Sequence, residues 1–136
     1  MEKEGVITVL SDHNMEGQAM MLWGTLVTEG WLDLYPLKIV TFTQVGLPKD
    51  SSDRVVWHFA QENDMLLITG NRRMKGEDSL EQTLREENTS TSLPVITVGD
   101  LERVAEVTYR EKCLSKLLDI VLDLENFRGT ERLFIP

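Results

Sequence analysis

The sequence predicts an α/β protein in which helices cover both faces of a mainly parallel sheet, a three-layer α/β/α sandwich. Short apolar runs rich in Val, Ile and Leu recur along the chain and end abruptly in polar residues. Such runs are typical of strands buried on both faces of a parallel sheet. Segments with helical spacing separate them, and this alternation favours parallel βαβ units. The length suits a single domain, residues 1–136.

The first half of the chain alternates strand and helix twice. The predicted strands cover residues 6–12 and 37–42. Asn14 can cap the helix between them, and Gly30 can end it. The buried stripe of this helix is predicted to contain Ala19, Leu22, Trp23, Leu26 and Val27. A loop at 46–50 precedes a second helix that opens with Ser51, Ser52 and Asp53. Its buried stripe is predicted to contain Val55, Val56, Phe59 and Ala60.

The second half continues the same alternation. Its strands are predicted at 65–69, 94–98 and 133–135, the last at an edge of the sheet. Ser79 and Gln82 have the spacing of a capping box, which predicts a short helix ending near Glu87. Residues 101–127 contain no Gly or Pro and predict either one long helix or two abutting helices.

Composition and charge limit the classes of function. The net charge is −9, which disfavours broad binding to nucleic acid because such binding depends on clustered Lys and Arg. The single cysteine, Cys113, excludes an internal disulfide and a Cys-based zinc site, and it is expected to be a core thiol. No leader precedes the first strand, and no apolar run approaches the roughly 20 residues of a membrane span. We therefore expect a cytoplasmic protein without a membrane partner.

Asp12 is the first candidate for chemistry because it directly follows the first apolar run. Ligands of parallel sheets bind beyond the carboxyl ends of the strands, where a carboxylate can bind a hard cation such as Mg²⁺. The alternative is that Asp12 only turns the chain into the next helix. Asp53, in the first turn of the second helix, lies at the edge of the buried face and could face the same site. The alternative is that Asp53 is present only because an acidic residue at a helix N-terminus is stabilised by the helix dipole.

A second group of candidates follows the strand at 65–69. Asn71 could ligate a cation or hold a metal-bound water, and Glu77 or Asp78 could complete an acidic cluster. Each of these two acids is equally well explained as a helix-start acid. The only dense cationic cluster directly follows Asn71 and could contact a phosphate, or could be a solvated loop. It consists of Arg72, Arg73 and Lys75.

Other chemistries find less support in the sequence. There is no P-loop, and no glycine-rich dinucleotide motif follows the first strand. Neither His13 nor His58 stands at metal-site spacing with a second His or Cys. We expect His13 to be a partly exposed loop residue, with phosphate contact as the alternative, and His58 to be structural.

Several of these motifs together resemble the PIN-like domain family, most closely small bacterial PIN-like proteins. They are the strand ending in Asp12, the Gly-Leu-Pro-x-x-Ser-Ser-Asp sequence at 46–53, and Leu-Leu-Ile-Thr-Gly-Asn-Arg at 66–72. The resemblance covers roughly residues 5–85. It implies a metal-dependent nuclease that often acts on RNA, sometimes as the toxin of a toxin–antitoxin pair. Acidic residues of such domains gather at one sheet edge around Mg²⁺ or Mn²⁺.

The resemblance leaves two functions open. The first is a Mg²⁺- or Mn²⁺-dependent endoribonuclease, with Asn71 positioning the ion or its water and the Arg72–Arg73 pair contacting a phosphate. The metal ligands are then Asp12, Asp53 and Asp78. Asn71 stands where a third acid is usual, which weakens ion binding and favours the second function. That function is a PIN-like module without catalysis that binds an antitoxin-like protein or forms a homodimer. Residues 101–127 could supply its interface, or could simply be core.

Overall fold

Five parallel strands form one sheet in the computed structural model, which describes residues 6–70 and 79–136. The strands are β1 (Ile7–Ser11), β2 (Leu37–Val40), β3 (Met65–Gly70), β4 (Val95–Val98) and β5 (Arg132–Ile135). Their order is β2-β1-β3-β4-β5, and every pairing is parallel. The predicted parallel sheet is therefore confirmed, with β5 at an edge.

Helices cover both faces of this sheet, as predicted. They are α1 (Glu16–Thr28), α2 (Phe42–Val45), α3 (Asp53–Glu62), α4 (Leu80–Glu87) and α5 (Val107–Leu122). Side chains of α1 and α5 pack into one buried cluster, and side chains of α3 and α4 pack into another. Successive strand residues serve opposite faces: Leu66 and Ile68 join the first cluster, and Leu67 joins the second. The three-layer arrangement follows from this alternation.

The segment 101–127 is helical but not continuous. A 3₁₀ helix at Leu101–Ala105 precedes α5, and another at Leu124–Phe127 follows it. The apolar stripe of α5 faces the sheet, with Leu114 and Leu117 almost fully buried. Its larger apolar side chains therefore belong mainly to the core. Cys113 is buried within the same cluster, as predicted.

Four local predictions are wrong. The second strand ends at Val40 because Thr41 and Gln44 form a capping box that starts α2. Asn14 does not cap α1; it lies within a 3₁₀ turn at 13–15 whose N-cap is Asp12. Val27 and Val55 point outward and are 52% and 51% exposed. Both valines lie at the edge of the apolar stripe of their helix, where a small rotation of the helix about its axis decides whether a side chain is buried.

The strand order reverses between β1 and β3, and the crevice is defined as the carboxyl end of the sheet at this reversal. The chain leaves β1 toward β2 on one side, and β3 lies on the other side of β1. Open parallel sheets bind their ligands at such a reversal, outside the carboxyl ends of the strands. Asp12 follows β1 at this crevice. No helix within residues 6–70 and 79–136 is long and apolar enough to cross a membrane.

Candidate functional site

Asp12 links the two central strands at the crevice. The Asp12 side chain accepts a hydrogen bond at Oδ2 from the Thr69 hydroxyl, 2.7 Å away, and the residue is only 9% exposed. The backbone N–H of Asp12 donates to the Ile68 carbonyl at 2.9 Å. A longer bond of 3.5 Å joins the backbone N–H of Asn14 to Asp12 Oδ1. Asp12 therefore turns the chain, as the alternative interpretation held, and also holds a carboxylate at the carboxyl end of the sheet.

The neighbours of Asp12 are buried polar groups that satisfy one another. Ser11 is fully buried, and its hydroxyl donates to the Asp12 carbonyl at 3.0 Å. Thr69 is 1% exposed, so without Asp12 its hydroxyl would lack this acceptor in the protein interior. The register of β1 with β3 brings Asp12 and Thr69 together, because each follows one residue of the pair Ser11 and Ile68.

Asp53 joins the beginnings of two helices. It is the first residue of α3, whose N-cap is Ser52, and its Oδ2 accepts a hydrogen bond from the backbone N–H of Leu80 at 3.1 Å. Leu80 begins α4, and Ser79 is the N-cap of that helix. A carboxylate here satisfies a helix N–H and is stabilised by the helix dipoles. The helix-start role predicted as the alternative for Asp53 is therefore observed.

Six predicted site residues lie outside the described residues. They are Asn71, Arg72, Arg73, Lys75, Glu77 and Asp78. This segment connects Gly70 to Ser79. Gly70 follows Thr69, which bonds Asp12, and Ser79 precedes Leu80, which bonds Asp53. Within 6–70 and 79–136, no three His, Cys, Asp or Glu side chains are grouped closely enough to hold a metal ion. The described carboxylates alone therefore do not form the predicted acidic cluster.

His13 and Glu16 extend the site toward β2. The Nδ1 atom of His13 lies 3.4 Å from Glu16 Oε2, an ion-pair distance without the alignment of a hydrogen bond. Glu16 Oε2 also accepts a hydrogen bond of 3.4 Å from the backbone N–H of Phe42, and the His13 and Phe42 rings are 5.8 Å apart. His13 is partly exposed, as predicted. The role of Glu16 was missed, although its spacing of three residues from His13 was visible in the sequence.

His58 belongs to a separate ion-pair group between α3 and α4. Its Nε2 atom lies 2.7 Å from Glu87, and Arg54 bonds both Glu87 and Glu86. Hydrogen bonds from Gln82 and Arg54 lower the pKa of the Glu86 carboxyl. These contacts hold α4 against α3, which agrees with the structural role predicted for His58.

The carboxyl ends of β3 and β4 are covered by the 3₁₀ helix Leu101–Ala105. Gly70 ends β3, and a Cβ atom there would lie only 2.4 Å from Leu101 Cδ1. Asp100, two residues after the end of β4, uses its carboxylate to accept the backbone N–H of Glu102 at 3.2 Å. Leu101 therefore closes this side of the sheet edge, and the Asp12 carboxylate lies on the side toward β2.

Comparison of the chain with protein-family models, curated proteins and solved structures finds no match in any of the three. The PIN-like resemblance therefore stays a prediction from short motifs. The strand order and the hydrogen bonds of Asp12 and Asp53 are the observations from which a function can be inferred.

Proposed function

We propose that the protein is a PIN-like, metal-dependent ribonuclease that hydrolyses phosphodiester bonds, and that Asp12 holds the metal ion. The observation that carries this proposal is the placement of Asp12. Its carboxylate is largely buried, follows a central strand, and lies at the crevice where the strand order reverses. A carboxylate in such surroundings is stabilised by a nearby cation, because burial alone disfavours its charge.

The donor set suits Mg²⁺ or Mn²⁺. Both ions accept carboxylate, amide and water oxygens, and Mg²⁺ commonly binds through only one or two carboxylates. The proposal assigns Asp12 and Asp53 as ligands, with Asn71 and Asp78 completing the set from the connection between β3 and α4. When bound, the ion would lower the pKa of a water molecule and supply the hydroxide that attacks the phosphodiester.

The other residues of the site orient the ligands. Thr69 fixes one carboxylate oxygen of Asp12 through its hydroxyl, so the carboxylate is positioned before any ligand arrives. The Leu80 N–H does the same for Asp53. Preorganised ligands of this kind reduce the ordering that binding would otherwise require.

The charge distribution favours a short single-stranded substrate. With a net charge of −9, the protein repels a long nucleic-acid backbone, so contacts must be local. The proposal assigns the phosphate contacts to Arg72, Arg73 and Lys75. Three such contacts on single-stranded RNA predict a log–log salt slope of about −2.

Cleavage of labelled RNAs of varied sequence, with Mg²⁺, Mn²⁺ or EDTA, tests the proposal. Asp12→Asn should lose at least about 100-fold in activity, because the neutral amide binds the ion poorly yet can still accept the Thr69 hydroxyl. Asp119→Asn on the exposed side of α5 is the matched control and should retain wild-type activity. Asn71→Asp should bind Mn²⁺ more tightly. Absence of metal-dependent cleavage by the wild type, or full activity of Asp12→Asn, would contradict the proposal.

A second function, a non-catalytic module that acts through protein contacts, is favoured by a different observation. The outward side of α1 is exposed and carries no charged side chain. The predicted interface at 101–127 is less suited, because its larger exposed apolar residues, Val107 and Leu122, stand at opposite ends of α5 and most of the others lie in the core. A wild type that binds a protein partner but cleaves no RNA would identify this second function.

A further inference from the structure

The outward side of α1 lacks the charged residues that a surface helix normally presents to water. This α1 outer face consists of six exposed residues, Gly17, Met20, Met21, Gly24, Val27 and Thr28. Met20, Met21 and Val27 are 44%, 41% and 52% exposed. Outward sides of amphipathic helices are usually charged or polar. The helix α5 follows this rule with exposed Lys112, Lys116 and Asp119.

The fold itself does not require the two glycines of this face. A Cβ atom at Gly17 or Gly24 would meet no other atom within 4 Å, and neither backbone is in the left-handed region. Gly24 lies in the interior of α1, where glycine is the least favourable residue apart from proline, and Gly17 lies in its first turn. Glycine does allow another backbone to approach closely. The two glycines are seven residues apart, with Met20 and Met21 between them, so they leave two gaps on one side of the helix.

A groove of about 460 Å³ runs beside this face, between α1 and the start of α5. Its lining includes Met21 and Gly24 from α1 and Val107 from α5, and Val107 is 56% exposed. Arg110 lies along the groove rather than projecting from it. Its guanidinium donates to Thr25 Oγ1 at 2.8 Å and to the Val104 carbonyl at 2.7 Å. These two hydrogen bonds fix the Arg110 side chain along the groove.

Two carboxylates stand at one end of this groove. Glu29 follows the last residue of α1 and lines the groove, and Glu111 lies within hydrogen-bonding reach of it. The contact with Glu29 raises the pKa of the Glu111 carboxyl, and the positive charge of Arg110 opposes this by a smaller amount. Two negative charges this close repel each other, and a Lys or Arg side chain placed between them would relieve the repulsion. The groove thus combines an apolar surface with a local excess of negative charge, because Glu29 and Glu111 outnumber Arg110, the single cation among the described residues that line it.

The same charges disfavour a second copy of this chain as the occupant. Pairing of two α1 outer faces would bring together two surfaces that each end at the exposed Glu29. Each copy also carries a net charge of −9. Like charges placed in contact oppose association, whereas a basic partner is attracted over a longer range.

We propose that the α1 outer face and its groove bind an amphipathic, basic helix of a partner protein. Residues 17 to 28 span about three turns of α1, roughly 16 Å, which matches three turns of a second helix. Large apolar side chains of the partner fill the gaps at Gly17 and Gly24, and a Lys or Arg meets Glu29 and Glu111. This surface is separate from Asp12 and Asp53, so the inference does not depend on RNA cleavage.

Two synthetic 18-residue helical peptides probe the surface. Both carry Leu at heptad positions on one face, and the flanking positions are Lys in one peptide and Glu in the other. Fluorescence anisotropy at physiological ionic strength should show saturable one-to-one binding of the Lys peptide. The Glu peptide should bind at least 10-fold more weakly. Glu111→Gln should weaken only the Lys peptide.

Gly24→Leu supplies the decisive variant, because the free protein has room for the leucine side chain whereas a helix bound in the groove would collide with it. It should keep the wild-type thermal midpoint or exceed it and lose at least 10-fold in affinity for the Lys peptide. Ser115→Leu, on the exposed side of α5, is the matched control and should bind as the wild type does. Absence of saturable binding, or equal binding by Gly24→Leu, overturns the proposal. A wild-type dimer that Gly24→Leu dissociates in sedimentation velocity also overturns it, because the face would then be a self-interface.

Discussion

Gly70 ends β3 beside the candidate site, and replacing it with alanine tests how tightly this edge is packed. A Cβ atom at this position would lie 2.4 Å from Leu101 Cδ1 and 2.8 Å from Leu101 Cγ. Moving the Cδ1 methyl group alone would leave the short contact with Cγ. The Leu101 side chain must therefore change rotamer, or the 3₁₀ helix Leu101–Ala105 must move. The backbone of Gly70 is outside the left-handed region. The close approach of the Leu101 side chain is therefore the physical reason to expect a loss of stability when a Cβ atom is added here.

Overpacking of this kind costs about 1–3 kcal/mol, and two short contacts favour a value of about 2 kcal/mol for Gly70→Ala. For a domain of this size, such a loss lowers the thermal midpoint by roughly 5–10 °C. Leu101→Ala removes both clashing atoms and, because Leu101 is half-buried, should itself cost about 1–2 kcal/mol. In the double variant the alanine at position 70 meets open space. The loss of unfolding free energy caused by Gly70→Ala should then disappear, which gives a coupling energy of about 2 kcal/mol between the two substitutions.

Urea unfolding followed by tryptophan fluorescence measures all four proteins of this cycle, since the chain has three tryptophans. Gly24→Ala is the matched control. A Cβ atom there meets nothing within 4 Å, so this variant should gain about 0.5–1 kcal/mol from helix propensity. The packing argument is refuted if Gly70→Ala costs less than about 0.5 kcal/mol, or if its cost is unchanged in the Leu101→Ala background.

Two further measurements test features away from the site. Gln61→Ala should lose about 1–3 kcal/mol in urea unfolding, because the Gln61 amide donates to the Leu93 carbonyl and accepts the Leu93 N–H, both at 2.9 Å. A loss below about 0.5 kcal/mol would show that water replaces both bonds. Burial raises the pKa of Cys113 to about 11. The unfolded chain therefore loses the thiol proton first, and stability should fall as pH rises from about 9 to about 11. Cys113→Ala should reduce this slope, and an equal slope would contradict the assignment.

The strands were predictable because each apolar run is short, β-branched and ended by a local signal. Ser52 and Ser79 begin their helices as the sequence indicated, since capping depends only on residues two or three positions away. The end of β2 was not predicted, because Phe42 continues the apolar run and only the Thr41–Gln44 pair marks the change to a helix. Capping residues close in sequence thus indicate where a helix begins, whereas an apolar run alone does not show where a strand ends.

The partners of the site residues were beyond sequence reasoning. Asp12 was predicted at the crevice from the fold class, but Thr69 is 57 residues away, and only the register of β1 with β3 brings them together. Asp53 was placed at the edge of the buried face of α3, whereas its bond to Leu80 depends on how α4 packs. Such contacts follow from the relative placement of elements, which hydrophobic periodicity does not encode.

The candidate site and the α1 outer face use the same helix in different ways. Glu16, the first residue of α1, contacts Phe42 and His13 at the carboxyl end of the sheet. The α1 outer face begins one residue later, at Gly17, and continues away from the sheet edge. Asp12→Asn therefore changes a carboxylate that no partner helix would touch, and Gly24→Leu fills a gap that no RNA phosphate would occupy. Because additivity is expected for such separated sites, the double variant should show both losses unchanged in size. A loss of cleavage in Gly24→Leu alone would instead mean that α1 transmits the state of its outer face to Asp12.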